Sequence, residues 1–520
     1  MKLVIVHFHL RPGGVRRVIE EGTRNLVANG AMNISSIVLV SGEPSDAAWR
    51  KNFQSAVSPV PVRHLINPAF GYITEQRITP SRIAREIHSA MKKLSLEDGD
   101  KESVVWFHNS GLGRNLLLVR ELERVCDERN IPIIAHHHDW WFDSRWQRWP
   151  DFIRCGFRTP AAVAKTIFST SPRTGHAAIN STDAEILAAN CRAPVAWLPN
   201  PVTISAPVPA ARIREARAWL REQLATDAPV WILPCRMLRR KNMAEALLLT
   251  RWLRPDAMLV TTGGVSSEDE RPYFEKLEAA ARRNKWPLWL ALMRGDESKK
   301  PSVPALIAAS EVVMLTSIQE GFGLPFIEAA ASRRPLIARR LPNISPDLAQ
   351  FGFRFPYAYD EILIHPDLFD RPDEITRQKK ILAGLKNEIP QSCRRFVGHL
   401  QLLATDAAMP VPFSRLTLTA QLEILAQPVE RSWILGAPLN PFLARWQHDA
   451  AAKKLRVTPW PRSAEKWLGA KAYAQRFADL LAAAKNHREK HPRDFQAQEA
   501  FIRQRLDSQH LFPLLLRSDT

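Results

Sequence analysis

One stretch of the chain, Glu311 to Arg334 (EVVMLTSIQEGFGLPFIEAAASRR), constrains the fold more than any other. Val312, Val313, Met314 and Leu315 form an apolar run without alternation, which is how a strand buried on both faces of a parallel sheet reads. The period then changes. Gly321 and Gly323 mark a tight turn, Pro325 suits the first position of a helix, and Phe326, Ile327, Ala330 and Ala331 give that helix an apolar stripe. A strand, a glycine turn and a helix N-terminus leave backbone N–H groups free at the carboxyl edge of a sheet, where open α/β folds bind ligands.

Two carboxylates frame this turn: Glu320 just ahead of the helix and Glu328 about one turn inside it. Carboxylates beside an anion-attracting helix end would repel a phosphate, so they fit better as acceptors for neutral hydroxyl donors, which sugars supply. The motif, two glutamates separated by seven residues with GFGLPF between them, resembles the donor-sugar signature of family 4 retaining glycosyltransferases. That resemblance implies an α/β protein of the GT-B fold: two Rossmann-like domains facing across a cleft, here with an extra, mainly helical C-terminal region. The expected division is 1–205 for an acceptor-side domain, 206–405 for a nucleotide-sugar donor domain and 406–520 for a basic, mainly helical extension.

Size and composition agree with more than one core. A chain of 520 residues, 45% apolar and 24% charged, reads as globular with two or three domains. Cys126, Cys155, Cys191, Cys235 and Cys393 are scattered without C-x-x-C spacing, against a disulfide framework or a zinc site and in keeping with a reducing compartment. MKLVIVHFHL reads as a first strand, not a signal peptide, and the longest uncharged stretch, Ala193 to Ala211, has too many prolines to span a membrane. The expectation is a cytoplasmic protein. A formal charge of +19 suits nucleic acid, anionic lipid or phosphorylated substrates, and net charge alone does not choose among them.

Apolar runs of strand length recur along the chain. In the first half they are LVIVHF, SSIVLVS, SVVWFHN and PIIAHH; in the second, PVWILP, AMLVTT, PLWLALM and Val312 to Thr316. Helical spacing falls between them, as at Val15 to Asn29, Ala244 to Leu253 and Tyr273 to Asn284, so each half reads as a parallel sheet covered by helices. The proline-rich run Ala193 to Ala211 reads as the linker. Past residue 405, Ala464 to Ala484 places Trp467, Tyr473, Phe477, Leu480 and Leu481 on one helical face, and residues 451–520 carry fourteen Lys/Arg against seven Asp/Glu.

Four further constellations bear on chemistry. Gly13 and Gly14 follow the first strand and open a helix, letting a ligand approach the backbone; in the family this loop faces the donor diphosphate and the acceptor. Arg236 and Lys241 lie five residues apart after another strand, at the spacing of the family's diphosphate-gripping Arg and Lys, though Arg239 and Arg240 are close enough to substitute. His7, His9, His108 and His136 to His138 fall where strands end. Consecutive residues of a strand point to opposite faces, so 136 to 138 cannot all grip one ion. His138 is the candidate for the family's histidine near the donor sugar, with His137 as the alternative. The stretch from Asp139 to Arg154 (DWWFDSRWQRWPDFIR) interleaves aromatics with arginines, which suits a half-buried helix, sugar stacking, single-stranded nucleic acid or a headgroup interface; Trp141 and Trp146 are candidate acceptor-side residues.

The resemblance implies a retaining, metal-independent transferase that moves a sugar from a nucleotide-diphosphate sugar to the hydroxyl of an unidentified acceptor, without a cofactor. Glu328 would hold ribose hydroxyls, Glu320 those of the donor sugar, and the backbone of Gly321, Phe322, Gly323 and Leu324 the sugar and phosphate. Metal-dependent transferases usually carry Asp-x-Asp, and Asp98-Gly99-Asp100 precedes its strand, at the wrong edge of the sheet. No nucleic acid is expected as a partner. Peripheral contact with an anionic membrane is feasible through the basic tail. Two rival readings are a GT-B epimerase or phosphorylase and a basic nucleic-acid binder, which leaves Glu320 and Glu328 unexplained.

Overall fold

The computed structural model describes every residue except 31, 97–101, 169–170, 204–206, 266, 297–298, 489–494 and 517–520. Asp98, Gly99 and Asp100 thus lie outside the described residues. The chain folds as two compact units. One comprises Met1–Thr203, Glu388–Phe396 and Ser463–Arg505; the other comprises Ile204–Asn387, Val397–Arg462 and Leu506–Thr520.

The first unit is built on β1 (Lys2–Val6), whose five residues are all buried. With β2 (Ser36–Ser41), β3 (Val62–Ile66), β4 (Ser103–His108), β5 (Ile133–His137), β6 (Thr174–Ala178) and β7 (Val195–Trp197) it forms a parallel sheet in the order 3-2-1-4-5-6-7. The second unit repeats the plan with β8 (Val230–Leu233), β9 (Met258–Thr261), β10 (Leu288–Trp289), β11 (Val312–Leu315), β12 (Leu336–Arg339) and β13 (Tyr357–Tyr359), parallel in the order 10-9-8-11-12-13. These are the strand orders of Rossmann-like sheets. In each the order reverses beside the first strand, between β1 and β4 and between β8 and β11, and a ligand crevice belongs outside the carboxyl ends of strands at such a point.

Several expectations need correction. The proline-rich run is not all linker: Val195–Trp197 is an edge strand, where missing backbone donors are tolerated, and the next helix begins at Ala210. PLWLALM yields only the two-residue β10, because Ala291 takes a left-handed φ of 57° and turns the chain away. Ala464 to Ala484 is two helices, Ala464–Leu468 and Ala470–Asn486, broken at Gly469.

The largest correction concerns residues 406–520, which are not one extension. Residues up to Arg462 pack with the second unit and Ser463–Arg505 with the first. The reason is the apolar stripe of helix Ala470–Asn486: Tyr473, Ala474, Phe477, Leu480, Leu481 and Ala484 are buried in the same core as Leu3, Ile5, Trp106 and Ile134. The Phe477 ring stands edge-on to Trp106 with centroids 5.1 Å apart. Gly22, on helix Gly14–Ala28, allows this approach, since a Cβ there would lie 2.8 Å from Trp106 and 3.0 Å from the Tyr473 hydroxyl.

Candidate functional site

In the second unit the candidate residues meet at the carboxyl ends of β8 and β11. After β8, a short helical turn at Arg239–Lys241 is closed by Asn242, which has a left-handed φ of 47° and is fully buried. Asn242 Nδ2 donates to Glu245 at 2.9 Å, and Glu245 is clasped in turn by Arg339 and the Tyr359 hydroxyl. Thr316, one residue past β11, donates to the carbonyls of Lys241 and Asn242 at 2.9 and 3.0 Å. The loops after β8 and β11 are therefore locked together, which directs Lys241 onto Glu320.

Glu320 gathers three donors. Lys241 Nζ contacts Oε1, Arg240 Nη1 donates to Oε2 at 2.9 Å, and Ser317 Oγ donates to Oε1 at 2.7 Å. Burial acts to raise the Glu320 pKa, but the Lys241 and Arg240 charges outweigh it and bring the group down to about 2. Its carboxylate is ionised across the physiological range. A carboxylate has about four lone-pair sites, so one direction is still open for a further hydroxyl. The two neighbouring arginines divide their tasks. Arg240 belongs to this cluster, whereas Arg239 turns away to Glu270 at 3.1 Å and to the Asp269 carbonyl. Arg236 leaves the end of β8 with an exposed side chain.

The glycine turn forms the other wall. Gly323, with φ at 79°, caps helix Leu324–Ala331, and any side chain there would press on Ile344 and Phe326 as well as strain the backbone. Pro325 occupies the second helical position, one later than expected. Phe322 is buried while Gly321 and Leu324 are half-buried, so the turn presents backbone. Glu328 is half-buried on the helix, and Asn343 holds the Glu320 carbonyl at 2.9 Å.

The first unit's edge is of another kind. Gly13 and Gly14 open helix Gly14–Ala28 in the exposed position expected, with no carboxylate in the first turn, and a Cβ at either would meet nothing within 4 Å. Their smallness thus serves no internal packing. Alternation sorts the histidines: His136 and His138 share one face with His108, and His137 lies on the other beside His176. His108 Nδ1 and His138 Nε2 are 3.0 Å apart, as are His137 Nε2 and His176 Nδ1, and Trp106 donates to His136 Nδ1 at 3.3 Å. Burial lowers the His138 pKa to about 4 and that of His7 to about 3, and holds those of His108, His136 and His137 well below the usual range, so the imidazoles are neutral at pH 7. One nitrogen each from His108, His136 and His138 lies within 4.8 Å of the others. Alternation does keep His137 out of this cluster, but the neighbouring strand supplies a third imidazole in its place.

Trp141 and Trp146 do not present a stacking surface. Trp141 is 0% exposed and Trp146 3%; Trp141 packs against Trp146, Trp149 and Phe152, and its indole N–H donates to Gln498. Helix Phe495–Arg505, which belongs to this unit, packs on the same stretch, with Gln498 on Trp141 and Phe501 on Trp140 and Phe142. Beside this stretch lies a cluster of arginines around Tyr72. Burial pushes the Tyr72 hydroxyl up to about 12 against the pull of the nearby Arg145, Arg11 and Arg148 charges; the hydroxyl meets His9 Nε2 at 2.8 Å, and the Arg114 guanidinium stands 4.5 Å over the ring. Those residues come from the loops after β1, β3, β4 and β5. Sequence reasoning picked out His9 and the stretch holding Arg145 and Arg148 but missed Tyr72, Arg11 and Arg114, because no single loop holds more than two of these residues.

Comparison with known proteins bears on the fold. No family model matches the chain. A search of curated proteins finds it 24% identical over 406 residues to mannosylglucosyl-3-phosphoglycerate synthase of Petrotoga mobilis, covering 75% of this chain and 74% of that protein. Among solved structures it is similar to HepE of Anabaena in complex with UDP and glucose, with a TM-score of 0.50, 14% identity and coverage of 93% of this chain and 99% of that one. A UDP-forming trehalose-phosphate synthase of Burkholderia xenovorans matches with a TM-score of 0.47 at 12% identity, over 94% of this chain and 99% of that one. The fold is GT-B. Within that fold, the Glu320-to-Glu328 segment is the part of the chain that resembles the family 4 glycosyltransferases.

Proposed function

We propose that this protein transfers a sugar, with retention of anomeric configuration and without a metal ion, from a nucleotide-diphosphate sugar to the hydroxyl of a phosphate-bearing acceptor. The observation that carries the donor half is the meeting of Lys241 and Arg240 on Glu320 beside the mouth of helix Leu324–Ala331. Two cations and a helix N-terminus favour a diphosphate, and a carboxylate with an open lone pair favours a sugar hydroxyl. Glu328, farther along the helix, takes the ribose hydroxyls. Arg236, Gly13 and Gly14 take part in holding the diphosphate.

As the bond from the anomeric carbon to the phosphate oxygen breaks, negative charge grows on the leaving diphosphate, and groups aimed at it stabilise the transition state more than the ground state. The acceptor oxygen bonds to the same face of the anomeric carbon and its proton passes to the departing phosphate. His138, neutral at working pH, offers hydrogen bonds near the sugar without competing for the phosphate. The acceptor half of the reading rests on the arginines around Tyr72, and the Petrotoga relative is itself named for a glycosylated 3-phosphoglycerate.

No nucleic-acid partner is proposed, since Trp140, Trp141 and Trp146 are buried. All five cysteines are buried, which suits a cytoplasmic location. No helix among the described residues is long and apolar enough to cross a membrane. Any attachment to an anionic membrane falls to exposed Lys and Arg side chains, because the apolar stripe of the C-terminal helix is packed inside the first unit. The test is release of nucleoside diphosphate from a panel of nucleotide-sugars with 3-phosphoglycerate and sugar phosphates as acceptors, with chelator present. Glu320→Ala is expected to lower kcat by roughly ten- to a thousand-fold; wild-type turnover in that variant would refute the role, and an inverted product anomer by NMR would refute retention.

A further inference from the structure

The second unit has a cationic pocket at the opposite end of its sheet from the candidate donor residues. It is a cavity of about 390 Å³ between helix Ala210–Leu224, the starts of β8 and β11, and Arg334 ahead of β12. Arg217, Arg221, Arg334 and Lys453 line it, with Asp227 and Glu311 as the acidic residues. Both carboxylates already have basic partners: Asp227 pairs with Arg221 at 3.0 Å, and Glu311 lies 3.8 Å from Arg254. Arg217, Arg334 and Lys453 have no carboxylate partner among the described residues.

Arg334 is the most telling of the three. Its Nε is buried with no hydrogen-bond partner among the described residues, and burial together with the neighbouring Arg217 charge holds its guanidinium below the ordinary range. A half-buried cation beside a like charge, with an unsatisfied donor, is costly unless something anionic answers both. Lys453 adds to this. It has a left-handed φ of 55°, a conformation that glycine would adopt without strain, yet a cation stands there.

We propose that this pocket is a second binding site, for a phosphate-bearing metabolite of sugar-phosphate size, separate from the site of transfer. The cavity lies in the size range of small-ligand pockets. Arg334 offers a planar fork to the phosphate oxygens, and Arg217 and Lys453 complete the charge. Separation comes from topology. Val230 and Glu311 stand at the amino ends of β8 and β11, whereas Lys241 and Glu320 follow their carboxyl ends, and a four-residue strand spans roughly 13 Å.

The experiment is calorimetric titration of the full chain with glucose 6-phosphate and inorganic phosphate, with glucose as the neutral control, alongside thermal melts. Arg334→Gln is expected to weaken phosphate-ester binding by roughly tenfold or more, the worth of one charge-assisted hydrogen bond. Arg334→Lys should keep part of the affinity, and Lys241→Gln should leave one class of site intact. Without ligand, Arg334→Gln is expected to melt higher than wild type, because the like-charge contact is relieved; with ligand, the order should reverse. Saturable binding that is unchanged in an Arg217→Gln/Arg334→Gln variant would overturn the proposal, and so would no binding at about 10 mM or a lower melting temperature for Arg334→Gln without ligand. None of these outcomes depends on turnover, so this site can fail while the transfer reading stands.

Discussion

The two Rossmann-like sheets end in opposite kinds of edge. At the second unit's carboxyl edge, Glu320, Lys241 and Arg240 are charged and paired; at the first unit's, His7, His108, His136, His137 and His138 are buried and neutral. One topology thus carries two electrostatic designs, and the difference lies in the residues at the strand ends and in the loops that leave them. A diphosphate needs cations whose charge does not vary with pH, which Lys and Arg supply. A neutral sugar needs hydrogen bonds without net charge, which buried imidazoles supply.

The largest effect that would sharpen this contrast concerns stability. Phe477→Ala removes a ring from the first unit's core and should cost about 3–5 kcal/mol, read as a fall in the denaturant midpoint. An unchanged midpoint would show that the C-terminal helix is a separate appendage after all.

Acid should separate the two edges next. His138 and His7 have folded pKa values of about 4 and 3, below the ordinary 6.5. The unfolded chain therefore binds more protons as pH falls, and stability is lost progressively below about 6.5. Glu320, at about 2 against an ordinary 4.5, contributes stability that is lost only below about 4.5. Thermal melts from pH 7.5 to 5 should fall, through the first unit; a flat profile would contradict the buried, neutral histidines.

Within the second edge, Arg239 and Arg240 give a finer division. Arg240→Gln should raise the donor KM or lower kcat with little change in melting temperature. Arg239→Gln should cost about 1–2 kcal/mol of stability, through the Glu270 pair, at near-normal kcat; the reverse pattern would exchange their roles. The smallest effect is expected at Arg11, whose pairs with Glu43 and Glu75 are exposed: Arg11→Gln should shift stability by less than about 1 kcal/mol while weakening a phosphorylated acceptor more than a neutral one.

How much of this is legible in the sequence depends on whether the signal is local. Val312 to Ala331 can be read because strand, turn and helix each leave their own pattern within a few residues. The second unit's ion cluster is half legible: spacing points to Lys241, but nothing in LRRKN says which arginine faces Glu320, since that depends on a hydrogen bond from Arg239 to Glu270, 31 residues away. Thr174–Ala178 escapes because TGHAA has no apolar run although all five residues are buried. The grip of Arg339 on Glu245, 94 residues apart, has no local signature at all. The stripe on Ala470–Asn486 announces burial but not its partner, and Trp141 reads as a surface ring because its partner Gln498 lies 357 residues on.

That late cover has a consequence for synthesis. The first unit's sheet is complete by Trp197, yet the helix that seals its core begins at Ala470. At about 5–20 residues per second, the ribosome leaves Trp106 and its neighbours bare for something like 15 to 60 seconds. A nascent chain in that condition is a natural client for chaperones, and a chain cut short before Ala470 would leave its opening domain without the helix that closes it.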